Sequence, residues 1–264
     1  MRLTGGKLLL GMIHLPPLPG TPFATPASLR EAIDTAVRSA LALRAGGADG
    51  CHVQTADRVY GVADECDPAR TTAMGIVVAE IRRTVGDDFP VGVQIMRNAA
   101  RASLAVAKVA GGSFVRLGAL VGTTLSPQGM VQANPLEVME YRRKIDAWDV
   151  KVIADIDSMH FRWYGEELPV GRVARHARTA GADAVALCHP DAETALAKIA
   201  EVRAVAPELP VILAGHTDHD NAARLLAAAD GAFVGTCWER DGWGSGIDEE
   251  RVRTYVARVR GELG

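Results

Sequence analysis

The sequence predicts an α/β protein of the (β/α)₈, or TIM-barrel, class that forms one domain over residues 1–264. Three observations lead to this prediction. Strand-like and helix-like runs alternate eight times along the chain, and the turns from helix to strand are short and mostly marked by glycine. The length of 264 residues is typical of one such barrel. No GxGxxG motif follows the first strand, which disfavours an open dinucleotide-binding sheet.

The first unit is a short strand followed by a stiff loop. Leu8, Leu9, Leu10 and Ile13 form an apolar run that is typical of a strand buried on both faces. His14 ends the run, and the prolines of residues 16–22 exclude both a helix and a sheet ladder. The first helix is predicted at 28–45, with Ser28 and Glu31 forming a capping box.

The remaining units repeat this alternation. The longest strand-to-helix loops are 56–70, 119–132, 156–169 and 236–247, and in a barrel they all lie on the face that carries active sites. The predicted strands after the first are 48–55, 90–96, 113–118, 150–155, 184–188, 211–214 and 231–235, and the predicted helices are 71–85, 99–110, 134–145, 170–180, 192–205, 221–228 and 248–260.

The composition disfavours nucleic acid and membranes as binding partners. Hydrophobic residues make up 48% of the chain and charged residues 23%, an ordinary globular mixture. The net charge of −3 and the lack of a Lys/Arg-rich run disfavour nucleic acid as a partner. No apolar run reaches the length of a membrane span, and no signal peptide is recognisable, so we expect a cytoplasmic protein without membrane insertion. The four scattered cysteines indicate reduced thiols. The sequence is compatible with a homo-oligomer.

Polar side chains cluster at the carboxyl ends of the predicted strands, which meet at one mouth of a parallel barrel. Strand residues two apart share a face, so we expect Asp155 with Asp157, and Gln94 with Asn98, to point into that mouth. The candidate catalytic and substrate-binding residues are His14, Gln54, Gln94, Asn98, Arg116, Asp155, Asp157, His189, Thr236 and Trp238.

Individual roles follow from side-chain chemistry. Asp155 is the candidate general base, and the alternative is a structural ion pair with Arg116. His14 or His189 is the candidate general acid, although the His14 ring could instead hydrogen-bond to the backbone of the proline loop. Arg116, together with Arg97, is suited to hold an anionic group through two hydrogen bonds.

Other residues have competing interpretations. Asp157 could bind substrate or cap a loop. Trp238 and Trp243 could wall the pocket or contact another subunit. Cys188 and Cys237 are interpreted as packing residues rather than nucleophiles.

A metal site is a further hypothesis, because His189 and His216 follow neighbouring predicted strands. Together with Asp155 they could bind a divalent metal and leave open positions for water or substrate. No HxH or HExxH spacing accompanies them.

Five segments carry a resemblance to a known family: GMIHLPPLPGTP (11–22), PVGVQIMRNAA (90–100), FVRLGALVGTTLSPQG (114–129), VKVIADI (150–156) and GAFVGT (231–236). They resemble the BtpA/SgcQ family over nearly the whole chain. The resemblance implies a TIM barrel, and family members are linked to photosystem I assembly or to sugar-metabolism operons. The segments HVQT (52–55), LCHPD (187–191) and AGHTDHDN (214–221) depart from the family pattern, which indicates a divergent member.

These features predict an enzyme for a small polar metabolite, of the sugar, sugar-phosphate or nucleoside type. General acid–base chemistry by an isomerase, epimerase or lyase is the leading hypothesis. The alternatives are a metal-dependent hydrolase using His189, His216 and Asp155, and a non-catalytic biogenesis factor. No lysine lies at a predicted strand's carboxyl end, which disfavours a Schiff-base aldolase.

Overall fold

The structure is a computed structural model that describes Met1, Leu3 and residues 5–56, 58–166 and 168–261. The described part of the chain forms these strands in chain order: β1 (Leu8–Leu15), β2 (Gly50–Thr55), β3 (Val91–Gln94), β4 (Phe114–Leu117), β5 (Thr123–Ser126), β6 (Gly129–Gln132), β7 (Lys151–Asp155), β8 (Arg162–Trp163), β9 (Ala184–Leu187), β10 (Val211–Leu213) and β11 (Gly231–Val234).

Eight of these strands close into a parallel barrel in the order β1-β11-β10-β9-β7-β4-β3-β2. Each pairs in parallel with its two neighbours, and β1 closes the cylinder against β11 through Leu8↔Gly231 to Gly11↔Val234. The predicted TIM-barrel fold is therefore confirmed. Several strands, among them β3 and β9, end one or two residues earlier than predicted, because residues such as Met96 and Cys188 leave the ladder and enter the loops.

Helices follow the barrel strands and form the outer layer. They are α1 (Ser28–Ala45), α2 (Pro68–Val85), α3 (Ala100–Ala110), α4 (Pro135–Lys144), α5 (Val170–Thr179), α6 (Ala192–Val205), α7 (Ala222–Ala228) and α8 (Glu249–Arg260).

Two details of the helix starts differ from the prediction by more than one residue or by their capping. The α2 helix begins three residues early, because the Asp67 side chain accepts a hydrogen bond from the backbone N–H of Ala69 and Pro68 occupies the first position. The capping box at Ser28 is wrong. Ser28 is the first helical residue, and its hydroxyl accepts a hydrogen bond from Thr25 N at 2.8 Å instead of capping the helix.

Successive side chains on the barrel strands point alternately outward and inward. Outward residues such as Leu9, Val93 and Val185 pack against the helices in the larger apolar core. Inward residues such as Leu10 and Phe114 fill the lower barrel in a second, smaller core. Toward the carboxyl ends the inward positions become polar, and this change in chemistry makes the upper barrel a site rather than a core.

A second, antiparallel sheet of order β6-β5-β8 lies in the loops after β4 and β7. The β5–β6 hairpin turns at Pro127 and Gln128, and Gly129 takes a φ of 127° that favours glycine. The sequence reading placed loops here and missed these strands. The alternation of TTLS and GMVQ around a Pro-Gln-Gly turn was the available signal.

Within the described residues, no helix combines the length and apolarity needed to span a membrane.

Candidate functional site

Two adjoining cavities open at the carboxyl ends of the barrel strands. The first, which we call the mouth cavity, has a volume of about 680 Å³ and is bounded by Arg116, Asp155, Phe233 and Thr236 among others. The second, the rim lobe, has a volume of about 610 Å³ and is bounded by Tyr60, residues 125–128 and Phe161. Both volumes lie in the range of about 300–1,000 Å³ that small-molecule sites occupy. Both cavities share the side chains of His14, Gln54, Met96, Arg97, Met159, His160 and Trp243.

A bidentate ion pair forms part of the mouth cavity's wall. Arg116 Nε donates to Asp155 Oδ1 at 2.9 Å, and Arg116 Nη2 donates to Oδ2 at 3.1 Å. Both residues are buried, and the guanidinium carbon lies 5.0 Å from the ring centroid of Phe233. The ion pair considered as the alternative role of Asp155 is therefore present, and the carboxylate still lines the cavity.

Arg97 is a second cation at this mouth, at the boundary between the two cavities. The only hydrogen bond that its side chain makes to a described residue is a long one of 3.4 Å from Nη2 to the carbonyl oxygen of His160, and its Nε is buried without a partner. No described carboxylate lies within 4.0 Å of the guanidinium. Burial lowers the pKa of Arg97, and the opposing charge of Asp155 raises it. A bound anion would supply the missing hydrogen-bond acceptor and counter-charge.

His14 extends from β1 into both cavities, because the strand continues to Leu15 instead of ending before the histidine. Its Nδ1 lies 3.8 Å from Glu239 Oε1 and makes no hydrogen bond. The predicted hydrogen bond to the proline loop is therefore absent at this nitrogen. Its ring also faces that of Trp243, with centroids 5.7 Å apart.

Glu239 is a site residue that the sequence reading missed. Its carboxylate is buried, and its Oε2 accepts a hydrogen bond from the backbone N–H of Gly244 at 2.7 Å. This bond ties down the loop that carries Trp243. The segment ERDGWG looks solvent-facing in sequence, so only the folded loop reveals that its first carboxylate turns inward beside His14.

Beneath the cavity, His52 and Gln94 form a buried polar floor. His52 Nε2 donates to Gln94 Oε1 at 3.2 Å, and the His52 ring stacks on Phe114 with centroids 5.6 Å apart. Burial lowers the pKa of His52 to about 3, and the charge of Arg116 acts in the same direction. A Cβ at Gly92 would stand 2.1 Å from the Phe114 ring and 2.7 Å from His52 Nδ1, so glycine is required there.

Several of the candidate residues line the mouth cavity. Besides the ion pair and His14, the lining includes Gln54, Gln94, Thr236 and His216. The His160 ring also lines both cavities, and burial lowers its pKa with help from the charge of Arg97.

Three other predicted placements are wrong. Asn98 bridges Ala119, donating from Nδ2 to its carbonyl and accepting from its N–H, so its amide is used structurally. Asp157 pairs with Lys198 of α6 outside the mouth. Trp238 is fully buried in the core against Tyr255, at a ring distance of 5.3 Å, because it lies on the short turn after β11 that packs onto α8.

His189, a predicted catalytic residue and metal ligand, lies outside the mouth cavity. His189 Nδ1 accepts a hydrogen bond from the backbone N–H of Asp191 at 3.0 Å, so the ring turns to the start of α6 and does not line the mouth cavity. Asp155 is engaged by Arg116, and His216 Nε2 contacts the sulfur of Met159 at 2.9 Å. Across residues 5–56, 58–166 and 168–261, no three His, Cys, Asp or Glu side chains are grouped so that they could hold a metal ion.

We expect His189→Ala to leave ligand binding unchanged, because the ring lies outside the mouth cavity. The loss of one local hydrogen bond should lower the free energy of unfolding by no more than about 1.5 kcal/mol. Urea unfolding and calorimetric ligand titration test this expectation. A loss of ligand affinity in the folded variant would restore His189 to the site.

The cysteines behave as packing residues. Burial raises the pKa of Cys188, and it raises that of Cys237 to about 12. A thiol with a raised pKa is a poor nucleophile at neutral pH.

The loop after β10 presents a carboxylate to the mouth cavity. Asp218 Oδ1 accepts hydrogen bonds from the backbone N–H groups of Asp220 and Asn221, both at 2.9 Å. In many barrels the loops after strands seven and eight hold phosphate through such N–H groups. In the loop after β10 the Asp218 carboxylate already accepts hydrogen bonds from two such N–H groups. This side of the cavity therefore disfavours a bound anion.

Solved structures share this fold at low sequence identity. The chain is similar to the N-(5′-phosphoribosyl)anthranilate isomerase of Pyrococcus furiosus, with 15% identity, a TM-score of 0.54, and coverage of 96% of this chain and 99% of that one. It is also similar to the N-acetylmannosamine-6-phosphate 2-epimerase of Clostridium perfringens, with 16% identity, a TM-score of 0.52, and coverage of 99% and 94%. A structure described as native KDPGal gives 15% identity, a TM-score of 0.60, and coverage of 97% and 96%. At these identities the likeness shows the fold alone.

Sequence relatives extend over nearly the whole chain. An uncharacterized protein of Archaeoglobus fulgidus is 32% identical over 258 residues, which covers 97% of this chain and 99% of that one. The photosystem I biogenesis protein BtpA of Synechocystis is 30% identical over 251 residues, which covers 94% of this chain and 86% of that one. The profile of the BtpA family matches residues 6–261. The chain therefore belongs to the BtpA family.

Proposed function

We propose that this chain is an acid–base enzyme that acts on a small anionic metabolite of the sugar or sugar-phosphate type, as an isomerase, epimerase or lyase. The observation that carries the proposal is that His14, Asp155 and two arginines all line the mouth cavity. The barrel neighbours named as an isomerase and an epimerase of phosphorylated sugar compounds support the same reaction class by analogy.

His14 and Asp155 are the proposed proton-transfer groups. The His14 ring lines both cavities and can therefore meet a ligand, while its buried Nδ1 makes no hydrogen bond to a described residue and lies 3.8 Å from Glu239 Oε1. Asp155 faces the same cavity from β7, with its carboxylate oriented by Arg116. Two groups on one cavity can remove a proton from one atom of a substrate and return a proton to another.

The charges define where the anionic end of a ligand would bind. Arg97 lacks a carboxylate partner among the described residues and has an unpartnered Nε, whereas Arg116 is neutralised by Asp155. Asp218 places negative charge on the β10 side of the same cavity. The anionic group is therefore assigned to Arg97, away from the loop after β10.

The proton-transfer role has a direct test. Phosphorylated pentoses and hexoses are screened for thermal stabilisation of the protein, since a binder at 100 times its Kd stabilises by about 2.7 kcal/mol. Any binder is then incubated in D₂O with the protein, and exchange of its C–H protons is followed by NMR. We expect His14→Ala to slow exchange by about 10²- to 10⁴-fold, with binding retained, and Arg97→Met to lose binding.

His189→Ala is the matched histidine control and should exchange protons at the wild-type rate. Unchanged exchange in His14→Ala would contradict the role of His14. Failure of the whole panel to stabilise the protein would contradict the substrate class.

A second candidate function is a non-catalytic biogenesis factor, which the name of the Synechocystis relative favours. The two proposals differ in one measurement: a biogenesis factor would retain its biological activity in a folded His14→Ala variant. The cytoplasmic location and the homo-oligomer expected from the sequence stay predictions.

A further inference from the structure

The rim lobe is a second compartment that the proposed proton chemistry does not use. It lies beside the mouth cavity under the β5–β6 hairpin and is bounded by residues 125–128. A small sugar phosphate at His14 and Asp155 would leave this volume of about 610 Å³ to water. The lobe is built by the antiparallel sheet that the bare barrel does not need, which points to a separate binding task.

Aromatic side chains surround this lobe. Tyr60, Phe161 and Trp243 all line it, and the guanidinium carbon of Arg97 lies 5.9 Å from the Tyr60 ring centroid. Trp243 is 65% exposed and so offers free ring surface. Aromatic rings and an arginine together favour a flat ring system as ligand.

An unpartnered hydrogen-bond acceptor also belongs to the lobe. Gln128, at the hairpin turn, lines the lobe, and its side-chain oxygen is buried without a hydrogen-bond partner. A buried amide oxygen without a donor costs free energy, so a rotation of the Gln128 side chain that presents this oxygen to a ligand N–H in the lobe would relieve the cost.

The two compartments are joined through shared residues. Arg97 and His14 line both, so a ligand whose anionic group rests on Arg97 can extend into both cavities. We propose, on the basis of the proposed function, that the substrate has two parts, and that the rim lobe binds a planar aromatic ring with an N–H donor joined to the anionic sugar. The Gln128 oxygen accepts from that donor, and Tyr60 and Trp243 contact the ring.

Paired ligands test this inference. Binding of ribose 5-phosphate is compared by calorimetry with binding of adenosine 5′-monophosphate, which adds a planar base with an amino group. We expect the nucleotide to bind about ten-fold more tightly, equivalent to about 1.4 kcal/mol. Purine riboside 5′-monophosphate, which lacks the amino group, should lose much of this gain.

Variants of rim-lobe residues test whether this lobe causes the tighter binding of the nucleotide. Gln128→Ala should bring the affinity for the nucleotide down to that for ribose 5-phosphate and leave the latter unchanged. Tyr60→Leu should also abolish the preference for the nucleotide, and it can weaken both ligands because the Tyr60 ring lies beside Arg97. Met130→Ala is the matched control, because Met130 lies on the same hairpin but lines a different surface cavity. It should bind both ligands as the wild type does.

Each outcome decides the question. Equal affinities for ribose 5-phosphate and the nucleotide would overturn the inference and leave the proposed function standing. Absence of binding by both ligands would overturn the inference together with the proposed substrate class. A nucleotide preference that persists in Gln128→Ala and Tyr60→Leu would show that the base binds outside the rim lobe, and would also overturn the inference.

Discussion

Asp155→Ala is expected to lower the free energy of unfolding by about 3 kcal/mol, the low end of the range for broken buried ion pairs. Arg116 is only 8% exposed, and the variant leaves its guanidinium without either of its two hydrogen-bond acceptors. The loss should stay at the low end because the pair lines a cavity that admits water. Urea unfolding at neutral pH measures this loss.

Two further variants separate the causes. Arg116→Met combined with Asp155→Leu removes both charges and should recover most of the stability, because the cost comes from the unpaired charge. Glu193→Ala breaks an exposed ion pair with Arg224 and should cost less than about 1 kcal/mol. Equal effects of Asp155→Ala and Glu193→Ala would show that the buried pair has no special energetic weight.

Acidification from pH 7 to pH 5 is expected to lower the free energy of unfolding by about 2 kcal/mol through His52 alone. The folded-state pKa of His52 is lowered to about 3, chiefly by burial, whereas an unfolded histidine titrates near its usual value of 6.5. Between these values the unfolded chain binds the extra proton, so stability rises with pH. The contribution is complete above the unfolded pKa and is lost progressively as the pH falls toward the folded pKa.

Urea unfolding at several pH values from 5 to 8 measures this slope. His52→Gln keeps a hydrogen-bond donor for Gln94 and cannot titrate, so its unfolding free energy should depend less on pH in this window. His176→Gln, at an exposed position on α5, is the matched control and should keep the wild-type slope. Identical slopes for wild type and His52→Gln would contradict the assignment.

The barrel was predictable because its signals are local. Apolar runs, helical periodicity and glycine turns act within a few residues, so α1 and α6 match the predicted bounds. The antiparallel sheet β6-β5-β8 was not predicted, because β8 has only two residues, Arg162 and Trp163, and pairs with β5 across the loops. A strand that short has no periodicity of its own.

The site was partly predictable for the same reason. Alternation along the strands correctly placed Gln54, Gln94 and Asp155 at the mouth. Asn98, Asp157 and His189 follow the strand ends in loops, where no period defines direction, and each turned to a local partner. Glu239 was not predicted, because the inward orientation of its side chain depends on the hydrogen bond from Gly244 N–H.

By itself the sequence determined the closed parallel barrel, the polar mouth and the strand residues that face it, because chain periodicity and strand alternation are short-range properties. The tertiary structure alone decided which loop side chains enter the mouth, which carboxylate neutralises which arginine, and that a rim lobe exists. Those outcomes depend on contacts between residues far apart in the chain, and the free energy of such contacts is set by distance and burial, which sequence spacing does not encode.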